Sequence, residues 1–142
     1  MGVSITSTNA SYSFDMGGGG FFNLRKNIAL ALDEEFGQVY GQSSHCMTKD
    51  EYRLNAMQAE DVINRKQLHI QYEDVLDFLY MPDTQGEIGY RTCRKIADLL
   101  EPRIPSLTKH SFRYGAYARN DYEEFLAFLR ECVRYHRKMR WS

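Results

Sequence analysis

The chain has 142 residues, 43% hydrophobic and 26% charged, proportions ordinary for a globular domain large enough to bury a core without staples. Eighteen Lys and Arg against nineteen Asp and Glu give a net charge of −1, which removes any whole-protein electrostatic case for nucleic acid. Cys46, Cys93 and Cys132 are too few and too widely spaced for a disulfide framework or a Cys-x-x-Cys knuckle, and no apolar run reaches membrane-span length.

Residues 3–16 alternate weakly, with Val3 and Ile5 and then Tyr12, Phe14 and Met16 on one parity, and predict one or two short strands or an extended arm. The start, Met1-Gly2-Val3-Ser4-Ile5-Thr6, fits the loose myristoylation pattern, but nothing else in the chain points to a membrane. Four glycines, Gly17–Gly20, run straight into a helix predicted over 21–36, where Phe21, Leu24, Ile28, Leu32 and Phe36 recur at three and four residues and Gly37 follows as a terminator. Thr48 and Glu51 form a capping box that opens a helix over 49–64, with Tyr52, Ala56, Ala59, Val62 and Ile63 inward. A helix over 72–80 carries Val75, Leu76, Phe78 and Leu79 and is stopped by Pro82. Another, over 90–100, turns Cys93, Ile96, Ala97 and Leu100 inward and is closed by Pro102 and Pro105.

Residues 103–119 read as irregular, with Phe112 and Tyr114 alternating over a short strand candidate. Asn120 and Glu123 look like a second capping box, and the last helix is predicted over 121–138 on the stripe Tyr122, Phe125, Leu126, Leu129, Cys132, Val133 and His136. The expected fold is mainly α: one domain over 1–142, with an extended arm and Gly-rich loop over 1–20 and a body of about five helices over 21–142.

Two segments carry chemistry beyond packing. The strand, glycine run and helix at 14–36 place backbone N–H groups where an anion could sit, so Gly17, Gly18, Gly19 and Gly20, with Arg25 and Lys26 one turn in, form a candidate phosphate or nucleotide site. The competing reading is a sharp strand-to-helix turn, since neither the Walker nor the Rossmann spacing is present. At the other end Arg130, Arg134 and Arg137 share a predicted helical face with Lys138 beside them. Together with Tyr135, Arg140 and Trp141 they make a candidate anion-facing surface, for RNA, DNA or an acidic protein, and the net charge of −1 favours the protein over nucleic acid. The alternative there is that cations gather at a helix C-terminus to meet its dipole.

The segment 76–90 follows the plan of a calcium loop without its first Asp and last Glu, which leaves too few hard ligands and suggests a tight helix–turn–helix corner. His45-Cys46 is the only adjacent His/Cys pair, and adjacency rarely gives nucleophile–base geometry. Asp33-Glu34-Glu35 reads as a solvated helix face. No catalytic residue, metal ligand or cofactor is assigned, and nothing in the sequence signals an oligomeric state.

The runs Met-Gly-Val-Ser-Ile-Thr-Ser at 1–7, Asp15-Met16 with the glycines and Phe21-Phe22-Asn23-Leu24-Arg25, Asp77-Phe78-Leu79 through Thr92-Cys93, and Met139-Arg140-Trp141 resemble small uncharacterised proteins of Gram-positive gut bacteria and their phages or mobile elements. The resemblance implies a bacterial or phage-type cytoplasmic setting and transfers no functional residue. Free thiols point the same way, to a reducing cytoplasm. The functional expectation is a non-enzymatic protein-interaction or regulatory module, such as an inhibitor borne on a mobile element, with small-ligand binding at Gly17–Gly20 as the alternative.

Overall fold

The computed structural model describes residues 2–107 and 118–142, without the side chains of residues 118–120. In chain order the elements are β1 (Gly2–Thr6), β2 (Phe14–Gly17), α1 (Gly18–Leu32), α2 (Glu34–Gln42), α3 (Lys49–Lys66), α4 (Leu68–Tyr80), β3 (Gly86–Ile88), α5 (Tyr90–Leu100), α6 (Ala118–Arg134) and β4 (Met139–Trp141). Short 3-10 turns follow α2 at Ser43–His45 and α5 at Glu101–Ser106. The protein is thus mainly helical, with an N-terminal strand, as its periodicity predicts. The strand candidate at Phe112 and Tyr114 lies outside the described residues.

The N-terminal residues are half of a sheet rather than an arm. The strands form one antiparallel sheet in the order β2-β1-β4-β3, with Val3 opposite Met16, Ile5 opposite Trp141 and Glu87 opposite Arg140. Alternation sorts the faces: Val3, Ile5, Phe14, Met16, Ile88, Met139 and Trp141 are buried, while Asp15, Glu87 and Arg140 are exposed. The buried side meets Phe21, Phe78, Phe125 and Phe128. Phe14 packs edge-on to both Phe125 and Phe128 at 5.6 Å, and Trp141 lies 5.3 Å from Phe78.

The helix expected over 21–36 is two helices. Asp33 takes an extended conformation between α1 and α2, and its side chain accepts a hydrogen bond from the Phe36 N–H at 3.0 Å, so it caps α2. Asp33 and Glu35 are therefore not simply solvated: Asp33 receives Lys66 at 3.1 Å, and Glu35 receives Arg65 at 2.6 Å and Lys66 at 3.3 Å. Gly37 terminates nothing. It sits buried inside α2, where a Cβ would lie 2.5 Å from the Leu30 Cα, so its missing side chain lets α2 fold back against α1.

Thr48 caps α3 as predicted, accepting from the Glu51 N–H at 3.1 Å, while the Glu51 carboxylate accepts from the Met47 N–H at 2.9 Å. The inward set of α3 is smaller than expected: only Ala59 and Val62 are buried, and Tyr52 and Ala56 are exposed. Gln67, at φ 55°, ends α3 and opens α4. Tyr72, the expected start of α4, instead marks a kink within it. Met81 is extended ahead of Pro82, as the residue before proline should be.

The corner after α4 contains a strand. Gly86 opens β3 directly under the Trp141 indole, where a side chain would collide with the ring. Helix α6 begins at Ala118, so Asn120 lies inside it rather than capping it. It also stops at Arg134, not 138. The His136 N–H donates to Val133 O at 3.3 Å, the Arg137 N–H donates to Cys132 O at 2.9 Å, and His136 is left-handed at φ 52°. That double bond is the Schellman arrangement, built on histidine where glycine is usual. It turns the chain so that Met139–Trp141 enters the sheet.

Candidate functional site

The two sequence-predicted sites are arranged differently from the way their residues read in line. Gly17 is the last residue of β2, and Gly18–Gly20 form the first turn of α1. That turn has no side-chain cap and no acidic residue, so its N–H groups, which lack intrahelical acceptors, have no anion beside them within the first turn.

Arg25 does not stand beside those glycines as a free counter-charge. It is 6% exposed and reaches the C-terminal end of α4, where Nη1 donates to Met81 O at 2.7 Å and Leu79 O at 3.3 Å, and Nη2 to Pro82 O at 3.5 Å. Its guanidinium lies 4.3 Å from the Phe21 ring centroid, 5.1 Å from that of Phe78 and 5.7 Å from that of Trp141. A cation held by the last carbonyls of a helix meets the negative end of its dipole, which suits this geometry. Burial lowers the Arg25 pKa, opposed by the neighbouring Tyr40 and Asp83, and burial likewise raises that of Tyr40. The Lys26 side chain runs over Gly41 of α2, where a Cβ would meet its Cε at 2.7 Å.

The C-terminal cations are mostly engaged within the chain. Arg130 binds Asp98 at 2.8 Å and Glu101 at 3.1 Å. Arg137 donates to Asn9 O at 3.2 Å and lies 3.6 Å from Glu131. Lys138 and Arg140 both reach Glu87 at 3.2 Å and hold its carboxyl below the usual carboxylate range. Trp141 cannot anchor a partner: it is 2% exposed, and its Nε1–H donates to Pro82 O at 3.0 Å. Its place beside Arg140 in sequence reflects strand alternation, one residue out and the next in.

What remains free lies one turn further along. Arg130 against Asp98, and His136 stacked on Tyr90 at 4.2 Å, show that α5 and α6 run antiparallel. Arg94 is four residues before Asp98 and Arg134 four after Arg130, so the two occupy the same level of the α5–α6 ridge. No carboxylate among the described residues lies within ion-pair distance of Arg91, Arg94 or Arg134. The acid four residues from Arg94, Asp98, is taken by Arg130. A tyrosine ring lies beside Arg91 and another beside Arg134. Arg91 lies 5.8 Å from the Tyr90 ring, Arg134 5.3 Å and Arg137 4.5 Å from that of Tyr135, and Tyr135 is half exposed.

Tyr90, Arg91 and Arg94 were missed as site residues because charges on the outer face of an amphipathic helix are ordinary. The available signal was the three-residue spacing of Arg91 and Arg94 next to Tyr90. Among the described residues no group of three or more His, Cys, Asp and Glu is placed to hold a metal ion, and no helix is long and apolar enough to cross a membrane. The chain matches no family model, no curated protein and no solved structure.

Proposed function

We propose that the protein is a non-enzymatic interaction module that docks an acidic protein segment on the α5–α6 face, with Arg91, Arg94 and Arg134 as charge contacts and Tyr90 and Tyr135 as ring contacts. The observation that carries this reading is a change along the α5–α6 ridge: Arg130 meets two carboxylates, while Arg94 and Arg134, which helix spacing puts at one level a turn further on, meet none among the described residues. Like charges at one level repel, and an anionic partner relieves that repulsion. Arginine and tyrosine are also the residue types that interfaces favour. The net charge of −1 favours a protein partner over nucleic acid. A regulator or inhibitor in a bacterial or phage-infected cytoplasm is the setting we assign to it.

The test compares wild type with Arg94→Glu/Arg134→Glu in capture from a native host lysate at low and physiological salt. The expected result is a wild-type partner lost by the double variant, with unchanged circular dichroism and wild-type capture that weakens as salt rises. A double variant that keeps every partner overturns the reading. A wild-type shift of DNA or RNA on a low-salt gel replaces the protein partner with nucleic acid.

A further inference from the structure

Helix α3 presents an apolar face to solvent. Leu54 and Met57, three residues apart and therefore neighbours on the helix surface, are 60% and 58% exposed. With the half-buried Val39 of α2 they border an open groove of about 550 Å³ between the two helices. Single apolar residues are scattered over any protein surface. Adjacent ones beside a groove leave a contiguous area whose burial would be favourable.

The charges beside this face match a second copy of it. Arg53 and Glu60 are both exposed, and a spacing of seven residues puts them two turns apart on one flank of Leu54 and Met57. At about 10.5 Å along the axis they are not neighbours within one helix. No cation among the described residues lies within ion-pair distance of Glu60. The ion pair that Arg53 makes among those residues is a 4.0 Å contact with Asp50, their side chains 74% and 88% exposed, an arrangement that contributes little.

We propose that two copies of this chain pair through α3, antiparallel, about a twofold axis beside Ala56 and Met57. Residue 53 of one copy is then level with residue 60 of the other, so Arg53 meets Glu60 of the second copy, and symmetry makes that contact twice. Leu54 and Met57 of both copies close on one another at the mouth of the groove. Asp50 falls between Asp61 and Arg65 of the second copy, where the opposite charges offset. A parallel pairing sets Asp50 on Asp50 and Asp61 on Asp61, and this repulsion selects against it. One helix on one helix is a small interface, so the dissociation constant is expected above about 1 μM.

The experiment is sedimentation velocity of the whole chain from about 5 to 500 μM, a range over which mass action should convert monomer to dimer. Met57→Glu puts unpaired charge at the centre of the pairing and should weaken it at least about tenfold. Arg53→Glu and Glu60→Arg each set like charges together at both contacts and should weaken it about tenfold. An equimolar mixture of those two variants, and the double variant Arg53→Glu/Glu60→Arg, restore opposite charges at both contacts and should dimerise like wild type. All four residue changes lie at exposed positions and should leave the circular dichroism of the dilute monomer unchanged. A wild type that stays monomeric at the highest concentration overturns the proposal, as does a dimer that Met57→Glu leaves intact. Failure of the mixture to recover dimer overturns the antiparallel arrangement. The Arg94→Glu/Arg134→Glu variant should dimerise like wild type, so this inference and the α5–α6 reading can each fail alone.

Discussion

Helices α3 and α6 have 18 and 17 residues, yet they are held by different means. In α6, Tyr122, Phe125, Phe128, Leu129 and Cys132 are essentially inaccessible, each at 1% exposure or less. In α3, Ala59 and Val62 are the buried residues, and Tyr52, Leu54 and Met57 are each more than half exposed. The apolar residues of α3 are spread around its circumference, whereas those of α6 form a stripe. Position, not count, decides burial. What α3 lacks in packing it recovers at its ends. Thr48 caps it, Asp50 and Glu51 occupy its first turn, and Arg65 and Lys66 occupy its last, where they also grip Asp33 and Glu35 of the α1–α2 junction.

The contrast can be broken by mutation, and the largest effect belongs to α6. Leu129→Ala should cost about 2–5 kcal/mol in denaturant unfolding, since it removes a fully buried side chain from close-packed surroundings. A loss under about half a kilocalorie would mean that α6 is not held by its stripe. Thr48→Ala should cost about 1 kcal/mol, the usual worth of a capping side chain. It should also lower amide exchange protection over the first turn of α3 more than elsewhere; uniform loss would assign the cap a global role. Leu54→Ser should change stability by no more than about 0.5 kcal/mol, because the side chain it removes is 60% exposed. A large loss there would show that α3 is covered in solution.

Much of this architecture is legible in sequence where one face repeats for several turns. Helix α5 was predicted at its observed bounds because Cys93, Ile96, Ala97 and Leu100 leave no other period, and all four are buried. The break at Asp33 was not legible, because Phe36 continues the three-and-four spacing of α1 across it. The same Asp-Glu-Glu run that reads as a solvated face is also an N-cap with an acidic first turn, and only the packing of α2 on α1 chooses between them. Strands β3 and β4 have three residues each, too few for alternation to stand out. His136 hid the end of α6 by taking a glycine's conformation. At the candidate sites, the glycine run reads as a loop ahead of a helix at 21, whereas Gly17 ends β2 and Gly18–Gly20 are the first turn of α1 itself. The fate of Arg25 left no trace in the sequence, because its acceptors are backbone carbonyls brought to it by tertiary packing.

The sheet joins segments that lie far apart in the chain, residues 2–6 and 139–141. Strand β4 lies between β1 and β3, and Ser4 and Ser142 exchange two backbone hydrogen bonds, at 2.9 and 3.1 Å. A ribosome releases β1 early and must translate the intervening helices before β4 can pair with it. During that interval the β1–β2 hairpin has an open edge, and the core lacks the Trp141 ring. Helices α1 to α5 can begin to form from local contacts, but the seam between β1 and β3 cannot close until β4 has been made, and its pairing carries Met139 and Trp141 into the interior. Nascent chains stalled before residue 139 should therefore be the species most exposed to misassociation and to cellular proteases.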